Sequence, residues 1–543
     1  MNGSILRFDR LFGLLTSIIL LTSSISFAQF NANGIIVAME DSVITTILQD
    51  SLALIALYDS SDGDNWTNND NWKSAPVSQW HGVTVTNNRV TELQLGGNNL
   101  NGTIPTVVGD LTELTLLWLQ NNILRGNIPA EVGSLTNLED LRLEQNSLSG
   151  EIPSTIGNLE NLSRLRLFSN DLTGEIPASI ENLTHLTQLY LFDNELNGTI
   201  PAGLWNLVNL IELRLNGNDF SGTIPAEIGN LTQLRRLVLS GNNFSGILPP
   251  EIGMTNLFDL SLSDNNFEGI LPEELTSLTD MFIINISLNN FSGAIPQGIS
   301  AFNQLQQCWV QNNSFHAFPD LSGVTTLTDL RMQSNRFTFE DIEPNIGVTT
   351  FTYSPQDSVG ENQDTTVVVS SAFSLEVTVG GSANQYQWLK DGSEVSGATD
   401  SILTVATAAV DDAGAYTCRI TNTIATALTL YSRTIRVQVN NTTSVAHEVT
   451  PQRFDLYANY PNPFNPETTI RYNVANTSHV TLEIFNLLGH KIITLVDAQK
   501  PAGSYSVSWN GRTEQGFEAP SGTYLYRIKA GQFEESLKLV LLR

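Results

Sequence analysis

Residues 93–105 read Leu93-Gln-Leu95-Gly-Gly-Asn98-Asn-Leu100-Asn-Gly102-Thr-Ile104-Pro105. The same frame returns as Leu117 to Pro129, Leu141 to Pro153, Leu165 to Pro177, Leu189 to Pro201, Leu213 to Pro225, Leu237 to Pro249, Leu260 to Pro272 and Ile284 to Pro296. Degenerate copies follow around Asn313 and Asn335. From Asn98 to Asn335 the motif asparagines stand 24 residues apart six times, then 23, 24, 24 and 22 apart, which makes eleven coils. A period of that length marks a solenoid of stacked repeats.

Each position in the frame has a physical task. Alternating Leu-x-Leu puts two side chains on one face of a short strand, and parallel stacking buries them against the next coil. An asparagine at every turn can satisfy N–H and C=O groups of neighbouring coils as a ladder. Glycine supplies free φ, and the Ile/Leu-Pro step fixes an extended return path. The pattern resembles the leucine-rich-repeat family, in the LxxNxLxGxIP form best known from plant receptor and defence proteins. The resemblance covers residues 50–345. Ahead of it, Asp50 to Tyr58 reads as a short amphipathic helix, and Asn65-Trp66, Asn71-Trp72 and Trp80-His81-Gly82-Val83 look like the cap of such repeats, without the paired cap cysteines of many plant relatives.

After Val348 the period gives way to strand-like alternation at Thr366–Val369, Phe373–Val379, Tyr386–Leu389, Ile402–Val405 and Tyr431–Val439. Trp388 and Asp412-Ala-Gly-Ala-Tyr416-Thr-Cys418 look like an immunoglobulin-like domain, with Val377 where the first cysteine would sit. A polar linker follows. Tyr460-Pro-Asn-Pro-Phe464-Asn-Pro466, Gly503 to Gly511, Ser521 to Arg527 and Lys538 to Arg543 look like the C-terminal sorting domain read by the type IX secretion machinery, whose sandwich is similar to the immunoglobulin-like domain of flagellar hook-capping proteins. That resemblance implies a Gram-negative bacterium and export through the outer membrane.

The expected architecture is mainly β: a leucine-rich-repeat solenoid with a parallel β-sheet, then two β-sandwich (immunoglobulin-like) domains. In numbers, 1–28 is a signal peptide, 29–89 a leader and repeat cap, 90–347 the repeats, 348–440 the immunoglobulin-like domain, 441–453 the linker and 454–543 the sorting domain. The signal reading rests on Arg7 and Arg10, an apolar run from Leu11 to Leu21 and the small residues Ser26 and Ala28. Nothing after it reaches the roughly 18 consecutive apolar residues of a membrane-spanning helix.

With 543 residues and about 100–200 residues per domain, several domains are expected. Lys and Arg number 26 against 55 Asp and Glu, a net charge of −29 that repels nucleic acid. The two cysteines, Cys308 and Cys418, form no disulfide framework and read as buried small hydrophobes. The six histidines are scattered without HxxxH or HExxH spacing, and the oxygen-rich loop at Asp59–Asp70 lacks the EF-hand frame. No nucleophile elbow, phosphate loop or kinase set occurs. The chain therefore reads as a secreted or cell-surface binding protein without enzymatic activity, cofactor or metal, the alternatives being an extracellular polysaccharide-acting enzyme or a passive structural surface-layer component.

The candidate site is the set of variable residues between the core leucines, which in a solenoid project from the concave sheet as columns. One column runs Gln94, Trp118, Arg142, Arg166, Tyr190, Arg214, Val238, Ser261, Asn285, Trp309 and Arg331, with Arg164 and Arg236 on one side and Phe168 and Phe192 on the other. No lysine occurs between Lys73 and Lys390, and six of the ten arginines of the repeats lie in these columns. Arginine with exposed aromatics is the composition of interaction hot spots. Trp118, Arg142, Arg164, Arg166, Phe168, Tyr190, Phe192, Arg214 and Arg236 are accordingly expected to contact a protein or polysaccharide ligand. The alternative is a solvated ladder in which Asp140, Glu144 and Glu212 pair the arginines locally.

Overall fold

The computed structural model describes residues 28–30, 36–38, 41–440, 451, 453–514 and 517–542. The expected signal peptide, apart from Ala28, and most of the expected linker lie outside these residues. Mostly β structure is found, a parallel-sheet solenoid followed by antiparallel sheets. Among the described residues no helix is long and apolar enough to cross a membrane.

The Leu-x-Leu segments form parallel strands in strict register. Leu93 pairs with Leu117, Leu117 with Leu141, Leu141 with Leu165, and so on to Cys308 and Leu330. They belong to a 13-stranded sheet edged by the antiparallel strand Val83–Thr86 at one end and by Thr350–Thr352 at the other. The solenoid sheet thus runs past the point where the period stops, because Phe351 takes the leucine position opposite Leu330.

A second sheet of ten short strands, from Asn101–Gly102 to Ser314–Ala317, is built from the Asn-x-Leu-x-Gly segments and was not expected from the sequence. Its glycines take left-handed φ, as at Gly174 with φ 78°, where a side chain would be strained. After each proline the chain makes a 3-10 turn, such as Ala178–Asn182. From Phe220 to Phe315 phenylalanine replaces leucine, and Phe220, Phe244, Phe267, Phe291 and Phe315 stack with centroids 6.0–6.4 Å apart, all fully buried.

The asparagine ladder is present. Asn218 donates from Nδ2 to the carbonyls of Leu191 and Leu215 at 3.0 and 3.1 Å and accepts the Leu196 N–H at 3.0 Å. Past Asn335 the ladder is closed by a glutamine: Gln356 donates to the carbonyls of Met332 and Tyr353 and accepts the N–H groups of Asn335 and Phe337.

At the other end the helix runs from Asp41 to Ser60, longer than expected. Asp50, a polar residue that reads as a boundary, is turned inward, where it accepts from Arg89 and from the Val90 N–H. Tyr58, Trp66, Trp72 and Trp80 pack as one buried aromatic cluster over the first coil.

In the following segment Trp388 and Cys418 lie opposite each other on paired strands, both fully buried, and Tyr416 donates to the Asp412 carbonyl at 2.8 Å. Burial pushes the Cys308 thiol up to about 12 and Cys418 to about 11. The segment is fixed to the repeats through Glu343, whose carboxylate accepts from the Ser382 N–H and Oγ, the Ala383 N–H and Asn422 Nδ2.

The C-terminal unit has a three-stranded sheet (Asp455–Leu456, Thr468–Val474, Gly503–Trp509) and a four-stranded one (Lys491–Lys500, Ser478–Asn486, Gly522–Ala530, Phe533–Leu541) around Ile470, Tyr472, Leu482, Trp509, Tyr526 and Leu539. The Pro-rich segment lies along its last strand: Phe464 is buried, its N–H donates to the Val540 carbonyl, and its carbonyl accepts from Leu542.

Candidate functional site on the repeat sheet

The register places the nine candidate residues on adjacent strands, in three neighbouring columns. Arg164 lies beside Gln188, Arg166 beside Tyr190, and Tyr190 beside Arg214. Phe168 and Phe192 follow one column over, where the ladder of backbone bonds continues from Ser169 to Phe192.

Their contacts fall into two kinds. Arg142 stacks over the Trp118 ring at 3.9 Å and grips the Asp140 carboxylate through Nε and Nη2 at 2.8–3.2 Å; Arg164 reaches the same carboxylate at 3.4 Å. Arg236 bridges Glu212 at 3.1 Å and Asp259 at 3.0 Å. These three arginines are compensated locally, as a cross-strand ladder would have it.

Arg166 and Arg214 are different. Neither has a carboxylate within ion-pair distance among the described residues, and the Nε of each is buried without an acceptor. Arg166 donates one bond to Gln188 Oε1 at 2.8 Å, and Arg214 sits over Phe192 at 4.5 Å and Tyr190 at 5.5 Å. The floor between them is aromatic: Phe168 and Phe192 stack at 4.2 Å with an interplanar angle of 11°. Tyr190 donates to Glu212 at 2.7 Å, and burial, then that carboxylate, pushes its phenol up to about 12. The strip thus offers two guanidiniums that make no ion pair among the described residues, beside apolar rings, on a chain of net charge −29.

Three residues near the strip were not among the candidates. Asp259 and Gln188 belong to the column Asp140, Arg164, Gln188, Glu212, Arg236, Asp259, whose alternation of acid and arginine is the signal that finds them. Glu144, expected as a local partner, is instead 6% exposed with Oε2 unpaired, and burial holds its carboxyl above the ordinary range against the pull of Arg166 and Arg142. Trp309 and Arg331, eight and nine coils from Trp118, repeat the first arrangement, with the guanidinium 4.3 Å over the ring and braced by Asp329 at 2.9 Å.

Residues 88–223 match a leucine-rich repeat region model and 233–254 and 256–278 a leucine-rich repeat model. Residues 355–422 match an immunoglobulin domain, and 465–532 the FlgD Ig-like domain. No curated protein matches the chain. Among solved structures, the leucine-rich-repeat ectodomain of the plant membrane receptor kinase GASSHO1/SCHENGEN3 from Arabidopsis thaliana, in complex with CASPARIAN STRIP INTEGRITY FACTOR 2, is 28% identical with a TM-score of 0.51, covering 58% of this chain and 45% of that one. A TDR receptor is 35% identical with a TM-score of 0.46, covering 49% and 47%. A Leptospira interrogans leucine-rich-repeat protein is 29% identical with a TM-score of 0.38, covering 48% and 72%. The chain spans about half the length of the receptors it resembles. Its likeness is to a receptor ectodomain solved with a bound factor. The chain carries leucine-rich repeats followed by immunoglobulin-like domains.

Proposed function

We propose that the protein is an exported, non-enzymatic binding protein that takes a protein ligand on the strip centred on Arg166, Tyr190 and Arg214. The observation that carries this is the pair of guanidiniums that make no ion pair among the described residues while their neighbours Arg142, Arg164 and Arg236 each grip a carboxylate. A ligand carboxylate seated there would meet donors already oriented by stacking, so little side-chain entropy is lost on binding. The GASSHO1 ectodomain, solved with a bound factor, supports a protein ligand. A polysaccharide is the second reading, favoured by the flat Phe168–Phe192 platform.

The test is a screen of the protein against extracellular proteins and polysaccharides, beside a variant with Arg142, Arg166, Tyr190 and Arg214 changed to Ala. A protein partner bound by the native chain and lost in the folded variant supports the reading; equal binding by both, or partners that are all polysaccharides, overturns it.

Export through the type IX machinery of a Gram-negative bacterium, with residues 454–543 as the address, is the proposed route to the surface or the medium. The signal-like N-terminus, the Tyr460–Pro466 motif and the FlgD-like match support it. Deleting residues 454–543 should trap the protein in the periplasm; unchanged appearance outside the cell would refute the address.

A further inference from the structure

In the C-terminal unit the strands Thr468–Val474 and Gly503–Trp509 pair so that Arg471 faces Ser506 and Asn473 faces Ser504. Their alternate residues Ile470, Tyr472, Val507 and Trp509 go to the core, so the opposite face is wholly polar, and its serines are small. A cleft of about 850 Å³ lies over this face, with Tyr457 and Tyr460 along its side. Both rings are strongly exposed, Tyr457 at 45% and Tyr460 at 76%.

The cleft is held in shape by bonds made without a ligand. Ser504 donates to Asn473 Oδ1 at 2.7 Å, and Asn473 Nδ2 donates to the Tyr457 hydroxyl at 2.6 Å, which fixes the ring edge. The Tyr457 carbonyl accepts from the buried Tyr526 hydroxyl at 2.8 Å, and Tyr460 exchanges two backbone bonds with Thr469. Arg471 is exposed and has no ion-pair partner among the described residues. Among the described residues it is the only charged one lining the cleft.

We propose that this cleft binds an acidic saccharide. Sugar rings present apolar C–H faces that pack on tyrosine rings, and their hydroxyls match serine and asparagine groups. A sugar carboxylate pairs bidentately with a guanidinium, which is the role of Arg471. A proline-rich peptide would also use exposed aromatics, but it would leave the serine floor and Arg471 without partners. The site is separate from the repeat strip and stands or falls without it.

The experiment is affinity electrophoresis of the full chain through gels containing alginate, polygalacturonate or neutral dextran, at about 0.15 M salt, where the Debye length is about 8 Å and the overall negative charge is screened. Retardation by a uronate polymer is expected, and not by dextran. Tyr457→Ala and Arg471→Ala should each weaken it at least about tenfold, the scale of one lost aromatic or charged contact. Tyr431→Ala, which removes a tyrosine of similar exposure elsewhere, should leave it unchanged. Circular dichroism of each variant separates lost binding from lost folding. No retardation by either uronate, retardation by dextran alone, or undiminished retardation of folded Tyr457→Ala and Arg471→Ala would overturn the proposal, as would displacement of the uronate site by a proline-rich peptide instead of free uronate.

Discussion

Arg214 lies with its guanidinium 4.5 Å from the centre of the Phe192 ring and makes no ion pair among the described residues, whereas Arg236, one coil on, is clamped between Glu212 and Asp259. Two arginines of one sheet face therefore have opposite roles. Changing Arg214 to Ala orphans no carboxylate and removes only its stacking on Phe192 and Tyr190, so stability should fall by about 1 kcal/mol or less. Ligand affinity should fall at least tenfold, about 1.4 kcal/mol. Arg142→Ala should do the reverse in part: it strips Trp118 and leaves Asp140, 1% exposed, with only the longer Arg164 contact, costing about 1–3 kcal/mol. Urea unfolding and binding titrations of the two variants check both halves.

The ladder sets a second expectation. Asn218→Ala leaves the Leu191 and Leu215 carbonyls and the Leu196 N–H without their side-chain partner in a buried turn. With about 1–3 kcal/mol per orphaned buried group, partly relieved by relaxation, a loss of about 3 kcal/mol is expected. Asn209→Ala, at an exposed site with one bond to the Thr184 carbonyl, should cost under about 1 kcal/mol. Because each repeat contacts chiefly its neighbours, hydrogen exchange should quicken in the coils around Asn218 first.

How far the sequence carries is clear from these two cases. The leucine register, the ladder and the columns follow from a 24-residue period and the alternation of a strand, so they could be read without coordinates. The second sheet could not, because its strands are two to five residues long and all but the last carry a glycine. Nor could the last coil: Phe351 and Gln356 replace Leu and Asn, and their fitness depends on the three-dimensional stack. At the strip, sequence placed Arg166 and Arg214 together with Arg142 and Arg236, but which arginines are compensated depends on side-chain reach across strands.

Alkaline pH should expose Tyr190. Its folded value, about 12, exceeds the ordinary 10, mainly through burial and then Glu212. A raised folded value means that its stabilising share is complete below pH 10 and is lost as pH rises through 12. Ultraviolet titration of Tyr190→Phe should lack one late-ionising phenol relative to the native chain; an early one missing instead would contradict the burial.

Acid should loosen the junction at Glu343. Burial there pushes its carboxyl up, but the bonds from Ser382, Asn422 and Ala383 outweigh it and hold the group below the usual range. A depressed folded value gives stability that is present above the ordinary 4.5 and is lost as pH falls through the folded value. Glu343→Gln should mimic the acid state at neutral pH, with faster exchange of the Ser382 and Ala383 amides; unchanged exchange would speak against the carboxylate as the clasp.

Of the eight tryptophans only Trp118 and Trp309 are not buried. Trp309→Phe leaves Trp118, under Arg142 at the edge of the strip, as the one tryptophan that is not buried. The most direct test of ligand binding there is acrylamide quenching of that variant as a protein partner is added. Protection of Trp118 that saturates with binding is the predicted result; a partner bound to saturation with Trp118 quenched as before would contradict the account.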